Sequence, residues 1–185
     1  ASAVAGSVMA RCYSDAVPQM KPLPEIWLLS DARNDAVLER ALRQLPRGSG
    51  FVFRHYHLPD DERRRRWRAL ARIARARGIR LVLSGSAAQA RHWGADGSYG
   101  AHRDAALATA HSLRELRRAA RAQAVLLSPV FPTRSHPGGR VLGPLRFRLL
   151  AARSRVPVIA LGGMSQAANR RLKWPRWAAI DAFLR

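Results

Sequence analysis

Few residues in this chain combine a reactive type with a useful spacing. His55-x-His57 has the spacing of a two-ligand metal pair, yet no third ligand stands close to it in sequence. Packing or simple exposure is the plainer reading. Cys12 is the single cysteine, which excludes an intrachain disulfide framework and a multi-cysteine zinc site. It falls in an irregular segment, so a catalytic thiol is not expected. Arg63–Arg66 is a run of cations, and a run of this kind on a helix reads as a solvated face. A Pro/Gly-rich stretch from Pro129 to Gly143 gathers hydroxyls, arginines and a histidine, and a glycine pair follows at Gly162-Gly163.

The bulk composition frames these residues. The chain has 185 residues, with 33 Lys+Arg against 12 Asp+Glu and a formal net charge of +21. That charge invites a nucleic-acid reading, because clustered cations neutralise phosphates. However, Lys21 and Lys173 are the two lysines, and arginine and alanine are abundant from end to end. A binding patch is local and this bias is global, so nucleic acid is not the expected partner. No stretch approaches the roughly 20 apolar residues of a membrane helix. A reducing, cytoplasmic setting is the expectation.

Residues 1–20 lack periodicity and read as a flexible tail; 21–185 read as one domain. From Ile26 onward, short apolar runs alternate with helical spacing. The strands are expected at Ile26–Leu29, Phe51–Phe53, Ile79–Leu83, Ser98–Tyr99, Ala105–Ala110, Ala124–Leu127, Val156–Leu161 and Trp177–Leu184. Helices are expected over Asn34–Leu45, Asp60–Arg77, a short piece after Ser86, Ser112 to about Ala122, Pro144–Arg153 and Ser165–Lys173. Ser86 and Ser112 carry capping-box spacing, and Gly78 closes a helix. Continuous apolar strands alternating with helices mean a parallel sheet covered by helices. Eight of them fit a small (β/α)8 TIM barrel with short loops and a truncated last helix. An open doubly wound sheet is the alternative, weakened by the lack of Gly-x-Gly-x-x-Gly after the first strand.

In such a barrel the working residues stand at the C-terminal ends of the strands. That selects Ser30, Asp31, Arg54, Tyr56, Ser84, Tyr99 to Asp104, Thr109, His111, Ser128 to Gly138, Gly162, Gly163 and Asp181. Among them, Ser128-Pro129-Val130-Phe131-Pro132-Thr133-Arg134-Ser135-His136-Pro137-Gly138 resembles the Gly-Pro-[Ile/Val]-Phe-Pro-Thr-x-[Ser/Thr]-Lys loop of the thiamine phosphate synthase/TenI family. Leu29-Ser30-Asp31, Gly94-Ala95-Asp96-Gly97 with Asp104, Thr109-Ala110-His111-Ser112 and Pro157 to Met164 resemble that family's other motifs, in its order.

The resemblance implies a barrel handling phosphorylated pyrimidine and thiazole small molecules, with Mg²⁺ as cofactor. Carried over by position, it assigns Arg54 and His136 to the departing diphosphate, and Thr133 and Ser135 as hydrogen-bond donors to it. Thr109 joins the substrate-binding set. Asp104 is the implied metal carboxylate, and Gly162 and Gly163 are implied to bring backbone N–H groups to a phosphate. The sequence departs from the family at Val52 and Tyr56, at Ser84-Gly85, where a metal carboxylate is missing, and at His136, where a lysine is expected. Asp181 stands where a small hydroxyl residue is usual.

Synthase chemistry is therefore the first expectation: coupling of hydroxymethylpyrimidine diphosphate to thiazole phosphate in thiamine biosynthesis, a transferase. The alternative is a TenI-like thiazole tautomerase, in which His111 moves a proton without metal, or a catalytically degenerate barrel that binds a phosphate ligand. A homo-oligomer is left open.

Overall fold

The computed structural model describes residues 22–134 and 138–183. The tail over residues 1–20, with Cys12, and the loop residues Ser135 and His136 lie outside the described residues. Eight strands close into a barrel in sequence order: β1 (Ile26–Leu29), β2 (Gly50–Phe53), β3 (Arg80–Ser84), β4 (Gly97–Gly100), β5 (Leu107–Ala110), β6 (Ala124–Leu127), β7 (Val158–Ala160) and β8 (Trp177–Ala179). Every pairing is parallel, and β8 closes on β1. The helices are α1 (Leu38–Gln44), α2 (Asp60–Ala76), α3 (Ala87–His92), α4 (Leu113–Arg118), α5 (Gly143–Ala151) and α6 (Gln166–Leu172). This is the expected (β/α)8 barrel, and no helix follows β8 among the described residues.

Strand alternation divides the core into an axis and a shell. Trp27, Leu29, Val52, Val82, Tyr99, Leu107, Leu126, Ile159 and Ala178 fill the axis. Their neighbours Leu28, Phe51, Phe53, Leu81 and Leu83 face outward onto α1 and α2, and Val125, Leu127 and Val158 pack with α5 and α6 residues. The floor of the axis is one indole. Trp27 is fully buried, pairs in register with Gly50, and donates its indole N–H to the Pro24 carbonyl at 2.9 Å. A Cβ at Gly50 would overlap the Trp27 ring.

Four expectations are corrected, three of them element boundaries. The first helix splits into a 3-10 turn over Ala32–Val37 followed by α1, because Asp31 and Asn34 form a reciprocal capping box there. Buried Asn34 also donates to the carbonyls of Leu29 and Ile180, tying β1 to the end of β8. Helix α4 stops at Arg118, four residues early, because the chain turns to bring the Gln123 N–H onto the Ala106 carbonyl at 2.9 Å. Strand β8 ends at Ala179, and Phe183 folds back to stack on Trp177 with ring centroids 5.4 Å apart.

The fourth correction concerns the arginine run. Arg63 is buried and Arg66 is half-buried, whereas a solvated face was expected. Arg63 lies one turn before Trp67, on the stripe that continues through Leu70, Ala71 and Ala74. Its guanidinium is covered by the rings of Phe53, Tyr56 and Trp93, at 5.3–5.9 Å.

Gly50→Ala is expected to cost about 1–3 kcal/mol through overpacking against Trp27. Chemical denaturation reads this as a lower midpoint with an unchanged slope; an unaltered midpoint would mean that the indole has room to move.

Candidate functional site

The C-terminal rim is assembled from inward-facing residues one step beyond the axis layer. Alternation from Val52 places Arg54 there, from Val82 places Ser84, and from Leu107 places Thr109 and His111. Tyr99 stands below them, 8% exposed, and no hydrogen bond engages its hydroxyl among the described residues. Burial pushes the Tyr99 phenol up to about 12, opposed by the charge of Arg54, which is close enough to act on it. The phenol is thus a neutral donor across the physiological range.

Arg54 reaches the mouth with its guanidinium over the Tyr56 ring, 5.7 Å from the centroid. Its Nε is sealed from solvent and has no hydrogen-bond partner among the described residues. Tyr56 hydrogen-bonds through its hydroxyl to the Ser84 hydroxyl. Arg63 braces this corner from outside, donating to the carbonyls of Arg54 (3.1 Å) and Ser84 (2.5 Å).

His111 has a defined tautomer. Its Nδ1 lies 2.9 Å from the Ser128 carbonyl, which can only accept, so Nδ1 carries the hydrogen. The Ser128 hydroxyl lies 3.3 Å from the same nitrogen. The backbone N–H of His111 donates to Glu115 in the first turn of α4. Nε2 of the exposed imidazole is left as a proton acceptor.

Across the barrel, Gly162 and Gly163 have φ of +91° and +62°. A Cβ on Gly162 would come within 2.6 Å of the Pro129 Cα, and one on Gly163 within 2.7 Å of the Phe131 Cβ. Glycine is required here because the 129–132 loop lies against it. Val130 and Phe131 donate to the carbonyls of Leu161 and Gly162, at 2.9 and 3.0 Å, while neither glycine N–H has a backbone partner among the described residues. Thr133 stands half-buried on this loop.

The implied metal site is a poor fit. Asp104 is exposed, and position 85 offers no side chain: Gly85 has φ +154°, and a Cβ there would overlap Gln89. The Gly85 carbonyl instead accepts from the His102 imidazole at 2.9 Å. Among the described residues no three His, Cys, Asp or Glu side chains stand together as metal ligands. The donor set does not suit a cation gripped by two carboxylates.

Two further residues have settled partners. Asp31 caps the 3-10 turn and pairs with Arg33 at 2.8 Å. Burial tends to raise its carboxyl, but the hydrogen bonds and charge of Arg33, with that of Arg54, hold it below the usual range. Asp181 lies 3.8 Å from the same Arg33, which offsets its charge at the rim. His55 and His57 do not form a metal pair: both ring nitrogens of His55 are hydrogen-bonded.

The structure thus brings Arg54, Thr109 and His111 to one rim. It sets Gly162, Gly163 and Thr133 on the β6–β7 side and leaves Asp104 exposed beyond β4. Tyr99 and the Tyr56–Ser84 pair lay within the strand-end positions but had not been singled out; their inward parity was the available signal. Arg63 was missed outright, although its spacing from Trp67 marks it. No helix is long and apolar enough to cross a membrane among the described residues.

These features define a small (β/α)8 barrel with its polar groups collected at the C-terminal mouth. A family model described as thiamine monophosphate synthase matches residues 27–174, and the chain belongs to that family. The fold is similar to the solved structure of a thiamine phosphate pyrophosphorylase from Pyrococcus furiosus. The two are 21% identical, with 85% of this chain and 86% of that one covered and a TM-score of 0.71. No curated protein matches the chain by sequence.

The raised Tyr99 gives a pH signature. A free phenol titrates near ~10, so the stability from the buried neutral form is whole below that pH and is lost as pH climbs through about 12. An absorbance titration should show one late tyrosine step, absent in Tyr99→Phe. A wild-type titration finished by pH ~11 would contradict the assignment.

Proposed function

We propose that this barrel moves a proton on a phosphorylated thiazole-class heterocycle, a tautomerase-type step in thiamine assembly. The observation that carries this reading is the locked imidazole of His111, with Nδ1–H held by the Ser128 carbonyl and Nε2 left open at the mouth. An imidazole with one protonated and one free ring nitrogen can both take and return a proton. In this scheme Nε2 removes a proton from one ring position and delivers it to another, so the reaction ends with the imidazole as it began.

The rest of the rim serves that transfer. The ligand phosphate is assigned to the β6–β7 side, where Gly162 and Gly163 present N–H groups without backbone partners beside Thr133. Arg54 and the Tyr99 phenol are assigned to the negative charge that develops on the ring when the proton leaves. None of these roles calls on a divalent cation, which agrees with the poor donor set at Asp104 and Gly85.

A second reading, synthase coupling of hydroxymethylpyrimidine diphosphate to thiazole phosphate, is favoured by one feature. Arg54 remains at the mouth with its guanidinium over the Tyr56 ring, where a diphosphate would meet a fixed cation.

One experiment separates the two. The purified protein is incubated with each substrate set, with Mg²⁺ or with EDTA, and products are followed by mass spectrometry. Isomerised thiazole that forms equally in EDTA and falls at least ~100-fold in His111→Ala supports proton transfer. Thiamine phosphate formed only with Mg²⁺ supports the synthase. Full isomerase activity in His111→Ala would defeat the role given to that residue.

A further inference from the structure

Outside the barrel wall, Ser30, His55 and Asp35 form a serine–histidine–carboxylate relay. The Ser30 hydroxyl lies 2.7 Å from His55 Nδ1, and His55 Nε2 lies 2.7 Å from Asp35 Oδ1. A hydrolase triad would show the same connections, but here the serine and histidine are sealed and only Asp35 reaches solvent. Ser30 is fully buried, His55 is 1% exposed, and both face away from the mouth, opposite to Leu29 and Arg54.

The proton count gives the relay one direction. The Asp35 carboxylate accepts only, so His55 Nε2 carries the hydrogen and Nδ1 accepts. The Ser30 O–H must therefore donate to Nδ1, which leaves its oxygen to accept, and the Arg54 backbone N–H donates to it at 2.7 Å. Burial favours the neutral imidazole that this pattern needs, against the pull of Asp35. At the far end Arg66 holds Asp35, with Nε 2.7 Å from its carboxylate and a second nitrogen 2.7 Å from its carbonyl, and it also pairs with Glu39. The His55 ring lies flat on Phe53, 4.5 Å away and 7° from parallel, and its backbone is left-handed, with φ +41°.

These bonds hold both peptide groups that flank the Arg54 Cα. The Arg54 N–H is gripped by Ser30, and the Arg54 carbonyl by Arg63. The side chain itself has no such support at Nε. A sealed, unpaired N–H is costly, so its place at the mouth is imposed through the backbone. Strand alternation faces Arg54 inward and His55 outward, and the left-handed backbone at His55 falls where the chain leaves β2, with Tyr56 beyond it beside Ser84.

We propose that Ser30, His55 and Asp35 are positioning residues that aim the Arg54 guanidinium at an anionic oxygen of the ligand. The proposal rests on the reading that the mouth takes a phosphorylated ligand, and it adds how this chain holds its cation there. The relay performs no bond-breaking step.

The test is a double-mutant cycle with inorganic phosphate as the calorimetric probe, combined with NMR of the Arg54 ¹⁵Nε–H signal. Ser30→Ala is expected to weaken phosphate binding roughly 2- to 10-fold, the range of one hydrogen bond. The same change in an Arg54→Ala background is expected to do nothing, and Ser30→Thr, which keeps the hydroxyl, to bind as wild type. Equal weakening by Ser30→Ala in both backgrounds would make the relay merely structural and overturn the proposal. In the NMR arm the Arg54 Nε–H exchanges slowly in wild type and faster in Ser30→Ala; identical exchange overturns the proposal. Wild type that binds no phosphate removes the phosphate-ligand reading, and the Nε–H signal then decides the positioning alone. Asp35→Ala, which removes the acceptor at the far end of the relay, is measured in the same way should Ser30→Ala not fold.

Discussion

The contact between the Trp27 indole and the bare backbone of Gly50 sets the level of everything above it. Strands of three to five residues leave the axis room for few layers of side chains. A full indole in the floor would be too large if its paired residue carried a side chain, and Gly50 carries none. With the floor filled, Val52, Val82 and Leu107 form the next layer, and the first inward position above them is already the mouth. Arg54, Ser84 and Thr109 are at the rim because two residues of rise separate them from that layer.

The fold was legible because its signal is repeated eight times. Most strands are short apolar runs and three of the six α-helices begin at a serine cap, so an error at one boundary does not propagate. The site was legible only in outline. Parity and strand ends located Arg54, Thr109 and His111, and the loop motif located Thr133 and the glycine pair. Parity could not reveal that His55 takes a left-handed backbone, since β-propensity and alternation are blind to a single φ. Nor could it reveal that Asp35, on a 3-10 turn, would meet a histidine twenty residues later. These are tertiary facts, created where the turn after β1 meets the end of β2 and Arg66 of α2 reaches Asp35.

The excess of arginine separates into two populations. Most of these side chains lie on outer helix faces, where composition rather than function accounts for them. Others have guanidinium groups fitted into structure, Arg63 and Arg66 with the most partners and Arg148 on the Leu172 carbonyl and the Trp174 ring. Arg63 meets two carbonyls and three aromatic rings, and Arg66 meets two carboxylates and a carbonyl. A planar five-donor group can do this; an ammonium cannot match the geometry. The position where the family has a metal carboxylate is, in this chain, a glycine whose carbonyl receives an imidazole. Beside it the mouth carries the neutral hydroxyls of Tyr56, Ser84 and Tyr99.

The burial of Arg63 also bears on how the molecule opens. Its stem belongs to the first turn of α2, while its head holds the carbonyls of the β2 and β3 ends and lies on the ring of Tyr56. Fraying of a helix start is ordinarily a cheap local event. Here it would withdraw a buried cation from three aromatic faces and release two strand ends at once. The beginning of α2 and the β2–β3 rim therefore belong to a single cooperative unit, and the mouth cannot loosen on that side while the helix stays folded.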